Sequence, residues 1–317
     1  MDTAITIGLF VLGLVLIIKG GDWFVDAAVW FANLTGIPKF IVGATIVSIA
    51  TTLPELTVSV TGVISGKLDM AVGNAVGSVT ANIGLIMGIS LTCLPGLVNR
   101  KSFWLKAVLM SGAALTLWLL CMNGVLKLAP SLILFVLFAV YIWDNIRDGK
   151  SSIGSEKSEE VDKKDLPSNV MLFIFGIAAI VLGSDLLIEY GSKLALLMGV
   201  PAAIVGVTMV AVGTSLPELI TTITAIRKKE ASMSIGNIVG ANVIDLALIL
   251  PVCSMVAGGG LKIAPQSASF DMPVCFGMTL LAILPTLITG KTHRWQGVLL
   301  LLSYAAYVVV LVTVFGI

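Results

Sequence analysis

The sequence predicts an all-α integral membrane protein of ten transmembrane helices, arranged as two inverted-topology repeats of five. Three observations carry this expectation. The 317 residues are 57% hydrophobic and 12% charged, with a mean hydropathy of +1.06, whereas a soluble domain carries about 25% charged residues. The charges fall in short stretches between apolar runs, each long enough to cross the hydrocarbon, which takes ~20 residues per helix. The chain also resembles itself: adding 163 to a first-half position lands on a matching residue, without a gap, from about residue 22 to 88.

The apolar runs lie near 3–34, 38–65, 69–96, 102–122, 128–146, 169–198, 201–226, 232–257, 271–290 and 295–315. The first and sixth exceed one crossing and are expected to tilt strongly or to run along the interface. The first turns apolar almost at once and has no preceding basic stretch, so a retained helix is expected there rather than a cleaved leader. Between the fifth and sixth runs lies the polar segment SSIGSEKSEEVDKKDLPS at 151–168. Mixed Lys, Glu and Ser without an apolar period reads as a flexible solvated linker. The chain accordingly divides into a first repeat at 1–147, a polar cytoplasmic linker at 148–168 and a second repeat at 169–317.

The self-similarity involves the residues least interchangeable in a membrane helix. Asp22 falls on Asp185, Asp26 on Glu189, Gly36 on Gly199 and Pro38 on Pro201. Leu53, Pro54 and Glu55 fall on Leu216, Pro217 and Glu218, Gly73 and Asn74 on Gly236 and Asn237, and Gly77 on Gly240. Shared apolar composition does not produce such a register; duplication does. With an odd number of spans per repeat, the copies enter the membrane from opposite sides, an architecture frequent in secondary transporters. Lys and Arg concentrate on cytoplasmic loops. Placing Lys39, Arg100, Lys101, Arg227, Lys228, Lys229, Lys291, Arg294 and the linker inside leaves Lys67, Lys127 and Lys262 outside. Both termini are therefore expected outside the cytoplasm, in a multi-pass protein of the cell (inner) membrane.

Several function classes are disfavoured. The basic residues form short groups at helix ends rather than a face, so nucleic-acid binding is not expected. Cys93, Cys121, Cys253 and Cys275 are scattered with no CxxC spacing and read as small buried hydrophobes rather than a zinc site or disulfide framework. His293 is the only histidine, and the spans hold no nucleophile–base pair, so neither an intramembrane enzyme nor a bound cofactor is expected. The lipid bilayer is the implied surrounding partner.

Glu55, Glu218 and Asp245 sit where a span is near its middle, and a carboxylate there costs several kcal/mol unless it faces a cavity and finds partners. Ser48, Thr51, Thr52 and Glu55 are spaced i, i+3, i+4, i+7, on one helical face; Ala211, Thr214, Ser215 and Glu218 repeat that spacing. Pro54 and Pro217 remove the helical bonds to the carbonyls of Ala50 and Gly213, and irregular backbone at membrane depth is tolerated only where it lines a cavity or binds something. In the third and eighth spans, Asn74, Ser78 and Asn82, and likewise Asn237, Ala241 and Asp245, recur every four residues. The neighbouring Gly73, Gly77, Gly84, Gly236 and Gly240 allow close helix approach. No basic residue lies in these four spans near mid-depth, so a bound cation is expected to supply the missing charge. Carboxylate, hydroxyl and carbonyl oxygens suit Ca2+ and Na+. Asp22, Asp26, Asp185 and Glu189 are expected near the interfaces as solvated acids.

These segments resemble a known family. SIATTLPE at 48–55 with GNAVGSVTANIG at 73–84, and AVGTSLPE at 211–218 with GNIVGANVID at 236–245, are similar to the paired α-repeats of the cation/calcium exchanger superfamily. The T-[ST]-L-P-E form resembles its sodium/calcium branch, including the prokaryotic members. The resemblance implies antiport of Ca2+ for Na+ by alternating access, usually extruding calcium, in a protein that functions as a monomer. It further implies that Glu55 and Glu218 bridge the central Ca2+ and contact Na+, with the carbonyls of Thr51 and Thr214 completing the calcium site. Ser48 and Ala211 would give carbonyls, and Ser78 a hydroxyl, to flanking sodium sites, with Asn82 and Asp245 at the middle site. Three positions depart from the family pattern: Ser48 stands in place of alanine, Ala50 in place of glycine and Ala241 in place of serine. The last removes a sodium-site hydroxyl and leaves the number of sodium ions open. Exchange driven by H+ or K+ is the nearest alternative, and a passive cation channel a more distant one.

Overall fold

A backbone in hydrocarbon must satisfy its own N–H and C=O groups, so apolar runs of span length fold as helices. The computed structural model describes residues 3–152, 163–198, 213 and 215–315. In chain order the helices are α1 (Thr3–Thr35), α2 (Lys39–Thr51), α3 (Leu53–Ile64), α4 (Leu68–Cys93), α5 (Arg100–Cys121) and α6 (Leu128–Ser152). They continue with α7 (Leu166–Leu197), α8 (Leu216–Arg227), α9 (Ala231–Ala257), α10 (Ser267–Thr289) and α11 (Arg294–Phe315). Among the described residues, 8 helices are long and apolar enough to cross a membrane, or 9 with α2 and α3 taken as one bent span. The first half of the expected seventh span, 201–212, lies outside the described residues; α8 is its remainder. Helix α6 runs on to Ser152 and α7 starts at Leu166, so the spans reach into the sequence expected as linker. The last turns of α6 carry Asp148 and Lys150 beyond the apolar stretch.

The expected break in the second span falls at Thr52. Helices α2 and α3 meet there at 42°, with Thr52 at φ −87°, ψ −2° and Pro54 in the first turn of α3. Ser215 occupies the matching place before α8, at φ −91°, ψ 9°, with Pro217 following. A proline in a first turn lacks only a bond that turn would not make, so it starts the new helix cleanly. Gly36, at φ +67°, ends α1 in the left-handed conformation that glycine adopts without strain, and Pro38 separates it from α2.

The helices differ in depth. In their most apolar stretch α4 is 72% buried and α9 83%, against 28% for α1 and α7 and 11% for α11. Helices α4 and α9, which carry Asn74, Asn82, Asn237 and Asp245, are thus the most deeply buried of these, and the three most apolar helices, α1, α7 and α11, are largely exposed. Close approach is made through glycine. A Cβ on Gly236 would run into the carbonyl oxygen of Phe40, one on Gly43 into that of Met233, and one on Gly240 would lie 2.6 Å from that of Ala44, so α2 and α9 cross backbone to backbone. Gly84 likewise lies under the Tyr304 ring of α11. Helices α1 and α7 meet through Gly13, Gly20, Gly176 and Gly183: a Cβ on Gly13 would lie 3.0 Å from the Gly183 carbonyl oxygen, and one on Gly20 2.8 Å from that of Gly176. These glycines obey the offset of 163 as well, so the register reaches further toward the N-terminus than the polar positions reveal.

Short backbone pairings tie the two ends of the bundle. Strand β1 (Val125–Leu126) pairs antiparallel with β2 (Leu261–Lys262), and Leu97 bridges Lys291. Cys121, Cys253 and Cys275 are buried as expected of small hydrophobes, but Cys93 is exposed, because it ends α4 on the side away from the buried Ser90 and Leu91.

One buried basic residue lies within a span. Lys106 of α5 is fully buried, with Nζ 2.8 Å from Asp144 Oδ2, 2.7 Å from Asp148 Oδ2 and 3.0 Å from the Ser102 carbonyl oxygen. Removing one partner of a buried ion group leaves an uncompensated charge, at about 3–5 kcal/mol. Lys106→Met is therefore expected to lower the melting temperature of the detergent-solubilised protein sharply, and Lys106→Met with Asp144→Asn to recover most of the loss.

Candidate cation-binding site

The break at Thr52 turns the stripe of polar side chains on α2 toward the second half of the chain. Ser48, Thr51, Thr52 and Glu55 are all buried, as are Ser78, Asn82, Ser215, Glu218 and Asp245. Ala211 and Thr214 lie outside the described residues. Thr52 Oγ1 lies 3.3 Å from Glu218 Oε1 and 2.7 Å from the Ser48 carbonyl oxygen, so a first-half hydroxyl touches the second-half glutamate. Glu55 is within electrostatic reach of Glu218 and Asp245, and Asp245 of Glu218. The three carboxylates form one neighbourhood.

Asn82 and Asp245 each open a π-helical turn, Asn82–Met87 and Asp245–Ile249, at positions 163 apart. A third such turn, Gly43–Val47, precedes the Ser48 stripe. A π turn inserts one residue into a helix, re-aims the side chains that follow and loosens local carbonyls, a device frequent at functional sites. Periodicity of four does not reveal these turns, although the shared offset of Asn82 and Asp245 is visible in the sequence.

The electrostatics are unbalanced. Both carboxylate oxygens of Glu55 and of Asp245, Glu218 Oε2, both amide atoms of Asn82 and the Ser215 hydroxyl have no hydrogen-bond partner among the described residues. The ion pairs among the described residues pass these acids by: Lys106 is held by Asp144 and Asp148, and Lys39 by Glu230 at 2.6 Å. Buried carboxylates without partners are among the most costly groups in a protein. Among the described residues no three acid, histidine or cysteine side chains converge closely enough to form a metal site by themselves. Any cation here would therefore take part of its shell from hydroxyl, amide and backbone oxygens, the mixed set that hard cations accept.

The acids of the long helices lie apart from this cluster. Asp26 Oδ1 is 2.7 Å from Lys228 Nζ, and Asp22 Oδ1 is 3.6 Å from Arg227 Nη1, so they join α1 to the end of α8 rather than standing merely solvated as expected. Sequence reading misses this because both cations sit more than 200 residues downstream. Glu189 pairs with Lys193 on its own helix. The sequence-noted Asn74 and Asn237 turn out to touch the glutamate turns, a role that their repetition in the two halves signals without specifying.

Acid, hydroxyl and amide oxygens gathered inside a multi-span helical protein, beside a bent span, are the features of an ion transporter. Residues 5–146 and 168–313 match the sequence model of the sodium/calcium exchanger protein family, and the chain belongs to that family. It is 29% identical to sodium/calcium exchanger MaX1 of Methanosarcina acetivorans, over 96% of this chain and 97% of that one. It is 31% identical to inner membrane protein YrbG of Escherichia coli, over 91% of this chain and 90% of that one. Its fold is similar to a solved structure of the sodium-calcium exchanger NCX_Mj, with a TM-score of 0.84 at 28% identity, covering 97% of this chain and 99% of that one.

Proposed function

We propose that the chain exchanges Ca2+ for Na+ across the membrane by alternating access, with Glu55 and Glu218 as the central ligands. The observation that carries this reading is the set of buried, unpartnered carboxylate oxygens on Glu55, Glu218 and Asp245, in a family of sodium/calcium exchangers. Calcium would take both glutamates with the carbonyls of Thr51 and Thr214. Sodium would share those glutamates and use the Ser48 and Ala211 carbonyls, the Ser78 hydroxyl and the Asn82–Asp245 pair. Thr52 and Ser215 line the same face as further oxygen ligands, and the Thr52 hydroxyl also lies 3.3 Å from Glu218 Oε1. Ca2+ and Na+ then compete for overlapping oxygens, so one loaded form excludes the other. Neutralising the acids with either load lowers the cost of carrying charge through hydrocarbon, which couples the two fluxes.

In this reading the architecture is ten spans in two inverted repeats of five, 1–147 and 169–317, joined by the linker at 148–168. Both termini face away from the cytoplasm, and the chain works as a monomer in the lipid of the cell (inner) membrane. The matched glycines of α1 and α7 and the similar backbone dihedrals of Thr52 and Ser215 support the inverted pairing; the relative named an inner membrane protein supports the location. Calcium extrusion driven by sodium influx is the proposed direction.

The test is radioactive calcium flux in proteoliposomes at clamped membrane potential. Flux is expected to follow the sodium gradient and to fall to background when sodium is replaced by choline. Ala241 lacks the hydroxyl that Ser78 has in the other half, which is the observation favouring a second reading, exchange driven by H+ or K+. Calcium flux that ignores sodium but follows a pH or potassium gradient would replace the first reading with the second. Flux requiring no counter-ion would indicate a channel.

A further inference from the structure

Asn237 lies buried on α9, and its amide reaches into both halves of the chain. Its Nδ2 donates to Thr221 Oγ1 at 3.0 Å, and its Oδ1 accepts from Thr51 Oγ1 at 3.4 Å. Thr221 in turn points its hydroxyl at the carbonyl oxygens of Pro217 and Glu218, each 3.0 Å away. One side chain thus joins Thr51, whose carbonyl is a proposed calcium ligand, to the turn that carries Glu218. Asn74, its counterpart 163 residues earlier, makes the related contact in the other half. Its Nδ2 is 3.0 Å from Ser59 Oγ and 3.5 Å from the carbonyl oxygen of Glu55 itself. An amide suits this place. It supplies two donors and an acceptor, and it adds no charge beside three carboxylates.

We propose that Asn237 and Asn74 are positioning residues of the cation site: each holds the backbone turn of one glutamate, and Asn237 also sets the distance between the two halves of the site. The inference rests on the reading of Glu55 and Glu218 as ligands. Calcium–oxygen distances fall within a narrow range, ~2.3–2.6 Å, so a glutamate turn released from its amide presents its oxygens with the wrong spacing. Partners one shell behind a metal typically contribute about 10–100-fold to its affinity.

The test measures the rise in melting temperature with calcium concentration on purified, detergent-solubilised protein, alongside the apparent KM for calcium in proteoliposomes. Asn237→Ala and Thr221→Val are each expected to weaken apparent calcium affinity by ~10–100-fold. Thr221→Ser, which keeps the hydroxyl, should stay close to wild type. The double variant Asn237→Ala/Thr221→Val should be weakened by less than the product of the two single effects, because the two residues share one contact. A lower melting temperature in Asn237→Ala with unchanged calcium affinity would reduce the amide to a packing role and overturn the proposal. If Asn237→Ala does not fold, the same decision falls to Thr221→Val against Thr221→Ser: equal affinities overturn it. A wild-type protein with no calcium-induced shift, or a shift that survives Glu55→Gln and Glu218→Gln, overturns the ligand reading itself and this inference with it.

Discussion

Glu55→Gln and Glu218→Gln are each expected to reduce sodium-driven calcium flux by more than ~100-fold, beyond what loss of an outer-shell partner produces, while leaving the protein folded. The two halves of this expectation come from the same fact. Both oxygens of Glu55 and one of Glu218 are buried without hydrogen-bond partners among the described residues. A charge in that position destabilises the ion-free protein, and an amide of the same shape relieves it. The ion-free melting temperature of either variant should therefore equal or exceed that of wild type, whereas the rise produced by calcium should disappear. A merely structural glutamate behaves in the opposite way, losing stability on substitution and retaining the calcium response. Melting curves in chelator and in millimolar calcium distinguish the two outcomes without any transport measurement.

Gly236→Val is the second large effect, and it acts on the fold. The α2–α9 crossing has no room for a side chain at Gly236, since even a Cβ would collide with the Phe40 carbonyl oxygen. Overpacking a core typically costs about 1–3 kcal/mol, and here the neighbour is backbone, which cannot rotate away. The variant is expected to express poorly and to elute from size-exclusion chromatography as aggregate. Gly240→Ala tests the same crossing closer to the proposed cation site: its Cβ would lie 2.6 Å from the Ala44 carbonyl oxygen and against the Ser48 hydroxyl. Gly8→Ala, on the exposed part of α1 with no atom within 4 Å of an added Cβ, should behave as wild type. If Gly236→Val gave a monodisperse protein of normal stability, the close crossing described here would be wrong.

What could be read in advance divides along the range of the forces involved. Apolar runs of span length are local, and the helices at Arg100–Cys121, Ala231–Ala257 and Arg294–Phe315 start and stop within a few residues of where the runs do. The broken span was equally local, because Pro54 forces its consequence on the residues immediately before it. Glu55, Glu218 and Asp245 stood out because a carboxylate in an apolar run is expensive wherever the chain goes. The π turns at Asn82 and Asp245 were not legible, since a single inserted residue leaves no mark on a periodicity of about four. Nor was the partner of Lys106, which reaches Asp144 and Asp148 only because α5 and α6 lie side by side.

By itself, then, the sequence determined the class of the molecule, the bend at Thr52 and the acids that stand out in apolar runs, because each follows from local chemistry: a proline's missing N–H or the cost of a polar group in hydrocarbon. The tertiary structure decided which groups answer one another. Asn237 lies 186 residues from Thr51 along the chain yet shares a hydrogen bond with it, and Thr52 meets Glu218 across 166 residues. The first of these contacts exists because glycines at 43, 236 and 240 let α2 and α9 approach backbone to backbone. That packing sets the distances between the oxygens, and no local property of either segment contains it.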